Sequence, residues 1–168
     1  FRSHDKSALR RIISYISFSI SVFLMGPWLI KKPDVIYVYN LVTLGLPALF
    51  FRFLFGSKVI IDVQDLWPES VASSGMLRHK VILSILNGIC NWVYRKADKL
   101  VVLSPGFKDC LTMRGVDPEK IVVIYNWCDE LSLTNNDSSQ DKEKELDLSG
   151  KLVVLFAGTM GILQGLDT

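Results

Sequence analysis

Asp65 and Glu69 stand within five residues of each other in the segment Asp62-Val63-Gln64-Asp65-Leu66-Trp67-Pro68-Glu69-Ser70. Carboxylates accept hydrogen bonds and aromatic rings pack on apolar sugar faces, so Asp65, Glu69, Gln64 and Trp67 form a set able to orient a polyhydroxylated ligand. The same residues also admit a structural reading, in which Asp65 caps a turn, Trp67 fills a core gap and Pro68 opens a short helix. A second candidate is Ser104-Pro105-Gly106, a helix start whose free N–H groups either receive an anion or are satisfied by the Ser104 hydroxyl. Further along, Gly158 and Gly161 flank Thr159 and Met160 after an apolar run, where bare backbone N–H groups can approach a diphosphate. That glycine pair matches neither a P-loop nor a dinucleotide fingerprint.

These residues need a scaffold, and the hydrophobic pattern supplies one. Short β-branched runs at Asp34 to Tyr39, Lys58 to Val63, Lys99 to Leu103, Ile121 to Tyr125 and Leu152 to Phe156 alternate with helix-like stretches near 6–26, 43–56, 78–96 and 105–114. Strands separated by helices predict an α/β protein with a Rossmann-like parallel sheet and flanking helices. The runs Val59-Ile60-Ile61, Leu100-Val101-Val102-Leu103 and Ile121-Val122-Val123-Ile124 are continuously apolar, which predicts a sheet covered on both faces. Ligands of such sheets bind at the carboxyl ends of the strands. Those ends carry Asn40, Gln64 and Asp65, Ser104, Asn126, and the Gly158–Gly161 loop, so one rim collects the polar and turn-forming residues.

Composition narrows the partners. The chain has 168 residues, 49% of them hydrophobic, a mean hydropathy of +0.30 and a formal net charge of +2. Residues 1–128 hold 16 Lys and Arg against 9 Asp and Glu, whereas 129–149 hold 2 against 7. The basic front portion suits anions such as lipid headgroups, pyrophosphates or sugar nucleotides. Nucleic acid is disfavoured, because no clustered basic helix, zinc spacing or aromatic RNA-binding signature is present. Cys90, Cys110 and Cys128 lack metal-ligand spacing and read as reduced core thiols of a cytosolic protein. His4 and His79 pair with no nucleophile, and no metal cluster is evident.

The polar stretch 129–150 reads as an acidic linker, with a domain at 1–128 before it and the first strand of a second domain at 151–168. The chain opens on Phe1 and stops soon after a strand and glycine loop, so both ends read as cut. Ile12 to Ile30 is uncharged for nineteen residues between Arg10-Arg11 and Lys31-Lys32, long enough to span a bilayer. Against a span stand a polar stripe of Ser14, Ser17 and Ser21 in line with Arg10, the breaker Gly26-Pro27, and the strand that follows. A helix that is buried or skims the membrane fits these better. No cleavage site follows to make it a signal peptide.

Four segments in order carry a resemblance: Asp62 to Ser70; Arg95-Lys96-Ala97-Asp98-Lys99-Leu100-Val101-Val102-Leu103-Ser104; Ile124-Tyr125-Asn126-Trp127-Cys128-Asp129; and Phe156 to Gly161 with Gln164-Gly165-Leu166-Asp167. Together they resemble the bacterial family 4 glycosyltransferases, in particular those that build O-antigen, capsule or exopolysaccharide repeat units, N-acetyl-L-fucosamine transferases among them. The resemblance implies a GT-B architecture of two Rossmann-like domains, of which this chain holds an incomplete N-terminal one. It implies a retaining transfer with no metal and no cofactor beyond the substrate, a UDP-linked nucleotide sugar. The acceptor would be a polyprenyl-diphosphate-linked glycan, met by a cytoplasmic enzyme peripheral to the inner membrane.

Carried over by position, Asp65 and Glu69 would be catalytic on the acceptor side. Asn40, Gln64, Trp67, Ser104 and Asn126 would bind substrate, Asn126 and Asp129 marking the hinge, and Gly158, Thr159, Met160 and Gly161 would meet the donor diphosphate. Gln64 departs from the pattern, since many members have His before the Asp. The family's first glycine-rich loop and its later donor motifs have no counterpart between Phe1 and Thr168, so the chain alone is expected to be inactive. The competing reading is a non-catalytic, membrane-associated binding or scaffold domain anchored through Ile12 to Phe55.

Overall fold

A computed structural model describes residues 8–40, 42–73, 79–128, 151–154 and 156–158. Helix α1 (Ala8–Leu29) leads into strand β1 (Val35–Tyr39), a 3-10 turn (Val42–Leu44), α2 (Gly45–Phe55) and β2 (Lys58–Val63). There follow α3 (Glu69–Ser73), α4 (Lys80–Lys96), β3 (Lys99–Val102), α5 (Pro105–Met113), a 3-10 turn (Pro118–Lys120) and β4 (Ile121–Val123). The four strands form one parallel sheet in the order β1-β2-β3-β4. Parallel neighbours require crossovers, and the helices between the strands supply them. The α/β, Rossmann-like expectation therefore holds.

Register sets which side chains share a face. Val38 lies beside Ile61, Ile61 beside Leu100, and Leu100 beside Ile121. This row packs with Ala48 of α2, Cys90, Val93 and Tyr94 of α4 and Leu111 of α5 in a single buried core. Among the described residues the opposite face is not closed as expected. Its Tyr37, Tyr39 and Val122 are exposed and its Ile60 and Val101 half-buried, because α2, α4 and α5 all contribute to the core on the first face. Burial of Cys90 pushes its thiol up to about 12, the behaviour of a core group. Cys110 is half-buried and Cys128 exposed, so the core-thiol expectation holds only in part.

Close approach of α2 to α4 is made possible by Gly45, where a Cβ would run into Val93. Ser104 caps α5, its Oγ accepting from Phe107 N at 3.3 Å with Pro105 at the first helical position. Two local expectations need correction. Gly26-Pro27 does not stop the first helix, which runs on to Leu29. Proline removes one i to i−4 bond, but the next turn re-forms it, with Ile30 N donating to Gly26 O at 3.0 Å. Nor do the described residues at 151–154 and 156–158 form a strand; strand hydrogen bonds need a paired neighbour, and Leu152 and Val154 are exposed. The described residues up to Tyr125 belong to one compact unit and those from Asn126 onward to another.

Candidate functional site

The carboxyl tips of β1 and β2 meet in a polar cluster. Asn40 ends β1 in the left-handed region, φ 55°, a conformation that Asn tolerates better than most residues. Its backbone N–H donates to Asp62 O at 2.8 Å, and its side-chain Nδ2 donates to Asp65 Oδ2 at 3.1 Å. Its Oδ1 is buried with no hydrogen-bond partner among the described residues. Asp65 itself is exposed. It thus presents a carboxylate to solvent from the bend that follows β2.

Near the end of β2, Asp62 is 7% exposed and satisfied from two sides. Tyr37 OH donates to its Oδ2, and Gln64 Nε2 donates to its Oδ1 at 2.7 Å. The hydrogen bond to Asp62 pushes the Tyr37 hydroxyl up to about 12, so it stays a neutral donor at physiological pH. Asp62 is a supporting residue, and Gln64 is turned to that support.

A separate clamp holds the segment after β2. Arg114, at the end of α5 and only 11% exposed, pairs with Glu69 Oε1 at 2.6 Å. It also donates to Trp67 O at 2.7 Å and lies 3.5 Å from Cys110 Sγ. Burial works against the Arg114 charge, yet Glu69 outweighs it and holds the guanidinium above its ordinary range. Glu69, expected to act beside Asp65, thus has one carboxylate oxygen engaged by this guanidinium, while its side chain stays 57% exposed. Trp67 is half-buried, packs against the core and meets Tyr15 edge-on at 6.2 Å between ring centroids.

Of the remaining candidates, Ser104 sits at the tip of β3 with its hydroxyl committed to the α5 cap. Asn126 is exposed and belongs to the second unit. Gly158 is exposed in a bend, whereas Thr159, Met160 and Gly161, like Asp129, lie outside the described residues. Among the described residues no three His, Cys, Asp or Glu side chains gather as metal ligands. The sequence reading passed over Tyr37, Asp62 and Arg114. Tyr37 and Asp62 stand in segments already singled out, and register alone joins them; Arg114 carried only the weak signal of a basic residue at a helix end.

Two apolar features adjoin the polar rim. Trp67 also lines a pocket of about 360 Å³ between α1 and α4. Helix α1 itself contains an 18-residue window, Ile12–Leu29, long and apolar enough to cross a bilayer, with mean hydropathy 1.7 and none of it buried. Two of its serines bond its own backbone: Ser17 Oγ donates to Ser14 O and Ser21 Oγ to Ser17 O.

Comparison with known proteins shows the family. A family model described as "Glycosyl transferase 4-like domain" matches residues 17–127, from α1 through β4. The chain is also similar to "Probable glycosyltransferase WbjE" of Pseudomonas aeruginosa, with 28% identity over 120 residues. The matched stretch covers 69% of this chain and 30% of that protein.

Proposed function

Because this chain belongs to the glycosyl transferase 4-like domain family, we propose that it forms the acceptor-side lobe of a glycosyltransferase of GT-B architecture. The enzyme moves a sugar from a UDP-linked donor, with retention, to a polyprenyl-diphosphate-linked glycan during assembly of O-antigen, capsule or exopolysaccharide. It works at the cytoplasmic face of the inner membrane, with α1 lying along the lipid surface and Lys31 and Lys32 facing anionic headgroups.

The observation that carries this reading is the pairing of Asn40 and Asp65 across two adjacent strand tips. An exposed carboxylate held at the rim of a parallel sheet accepts the acceptor hydroxyl's hydrogen bond and draws off its proton as the new bond forms. On the donor side, the amides of Gly158, Thr159, Met160 and Gly161 would meet the charge that grows on the departing nucleotide diphosphate. Glu69 acts through Arg114, keeping the Trp67–Glu69 segment at the rim.

The exposed apolar surface of α1, including Phe18, Leu24 and Trp28, also suits the scaffold reading. The two separate in one assay. The complete protein bearing this chain, incubated with membrane lipids and a panel of UDP and GDP sugars, should yield a glycolipid product that depends on one donor. A scaffold domain would bind membranes and yield none.

A further inference from the structure

We infer that Gln64 sets the hydrogen-bonding polarity of the strand-tip rim and thereby the sugar that fits it: a neutral edge with two neighbouring hydroxyls, rather than a carboxylate or a phosphate. This rests on the acceptor-side reading above.

The orientation of the Gln64 amide follows from its partner. An ionised carboxylate only accepts hydrogen bonds. Asp62 Oδ1 therefore receives Gln64 Nε2, at 2.7 Å, and turning the amide over would set Oε1 against Oδ1, oxygen against oxygen. Gln64 is half-buried, and its Oε1 accepts no hydrogen bond among the described residues. That carbonyl oxygen is left for a ligand, and only as an acceptor.

Its neighbours repeat the polarity. Tyr37 OH commits its one proton to Asp62 Oδ2, and Asn40 Nδ2 donates to Asp65 Oδ2 at 3.1 Å. Asp62 and Asp65 thus take up the side-chain protons of Tyr37, Gln64 and Asn40, leaving outward the lone pairs of Tyr37, Gln64 Oε1 and Asp65 Oδ1. The cation of the adjoining segment, Arg114, is already engaged by Glu69 and by the Trp67 carbonyl. A cluster that offers acceptors and withholds donors complements hydroxyls, which bring their own protons. It rejects an anionic group, whose oxygens would lose water and find no donor. Because Gln64 and Asp65 are successive residues, the two hydroxyls they receive sit on neighbouring carbons, and the one at Asp65 is the nucleophile.

The test uses the complete protein, membrane lipids as acceptor and the donor sugar that gives product. Gln64→Met removes the outward oxygen and should raise the acceptor KM at least about tenfold, with the donor KM unchanged. Gln64→His should restore the acceptor KM at pH about 8, where a neutral imidazole donates one N–H to Asp62 and offers its other nitrogen as an acceptor. Protonation makes that nitrogen a donor. The acceptor KM of this variant should therefore rise as pH falls through the imidazole pKa, ordinarily about 6.5 and raised here by Asp62 and Asp65, a step that the parent lacks. Gln64→His also keeps the donor to Asp62, so it remains decisive if Gln64→Met loses stability.

The lipid gives an independent arm. Periodate, which cleaves vicinal diols, should abolish the acceptor capacity of the lipids, whereas carbodiimide amidation of their carboxylates should leave it. Full transfer to periodate-treated lipid overturns the inference. So does an acceptor KM that is indifferent to Gln64→Met and to the pH of Gln64→His while both variants melt as the parent does; product from the parent then keeps the glycosyltransferase reading. No product from the parent with any donor would remove that reading itself.

Discussion

Asn40 Nδ2 donates to Asp65 Oδ2 at 3.1 Å, across 25 residues of sequence, where β1 and β2 end side by side. The contact fixes the direction of a carboxylate that is otherwise in solvent. Asp65→Asn and Asp65→Ala should therefore lower sugar transfer by at least about 100-fold, the order associated with a general base. Stability should change by no more than about 0.5 kcal/mol, as for an exposed site. Denaturant unfolding alongside turnover checks both halves.

Asn40 serves through its backbone as well as its amide. With φ at 55°, Asn40→Ala should destabilise the chain by about 1 kcal/mol or more, whereas Asn40→Gly tolerates the conformation. Both variants remove the donor to Asp65, and both should slow transfer. Equal midpoints of unfolding for the two, or normal turnover by Asn40→Gly, would contradict this.

Arg114 and Glu69 should separate in the opposite way. Arg114→Ala removes the donor to the Trp67 carbonyl and frees the exposed Glu69 carboxylate to water, and should cost about 1–3 kcal/mol of stability. Glu69→Gln keeps a hydrogen-bond acceptor for the guanidinium and should cost less than about 1 kcal/mol, with transfer largely preserved. Loss of turnover in Glu69→Gln without loss of stability would return Glu69 to the chemistry.

Asp98 gives the fold an acid limit. Burial works against its charge, but the Val59 N–H at 2.9 Å, Arg52 at 3.2 Å and Lys58 at 3.4 Å together hold its carboxyl below the ordinary value. A carboxyl whose native pKa lies below its unfolded value, about 3.9, contributes stability above that pH. That contribution is lost as pH falls through the lower native value. Thermal melts between neutrality and pH about 3 should show this loss, and Asp98→Asn should flatten it while lowering the midpoint at neutrality.

The sheet was legible because β-branched runs such as Val59-Ile60-Ile61 announce buried strands whatever surrounds them, and Ser104-Pro105 announces a helix start. The grouping at the strand tips was legible to the extent that Asn40, Gln64 and Asp65 were expected beside one another, as the Asn40–Asp65 contact has them. Their partners were not, since the Tyr37–Asp62 and Glu69–Arg114 contacts join residues 25 and 45 apart through register and packing. Pro27 misled for a local reason: one missing hydrogen bond is tolerable when an apolar helix has tertiary support. That support includes Gly26 against Phe51, where no room remains for a Cβ. The open second face of the sheet was also hidden, because apolar runs do not say which layer covers them.

The most direct measurement is incorporation of labelled sugar into membrane lipid by the complete protein, from each of a panel of UDP and GDP sugars, beside its Asp65→Asn variant. The expected result is a lipid-soluble product with one donor, lost with Asp65→Asn while the variant unfolds at the same denaturant concentration. Product formed equally well by the variant, or no product from any donor, would contradict the assignment of the Asn40–Asp65 rim to sugar transfer.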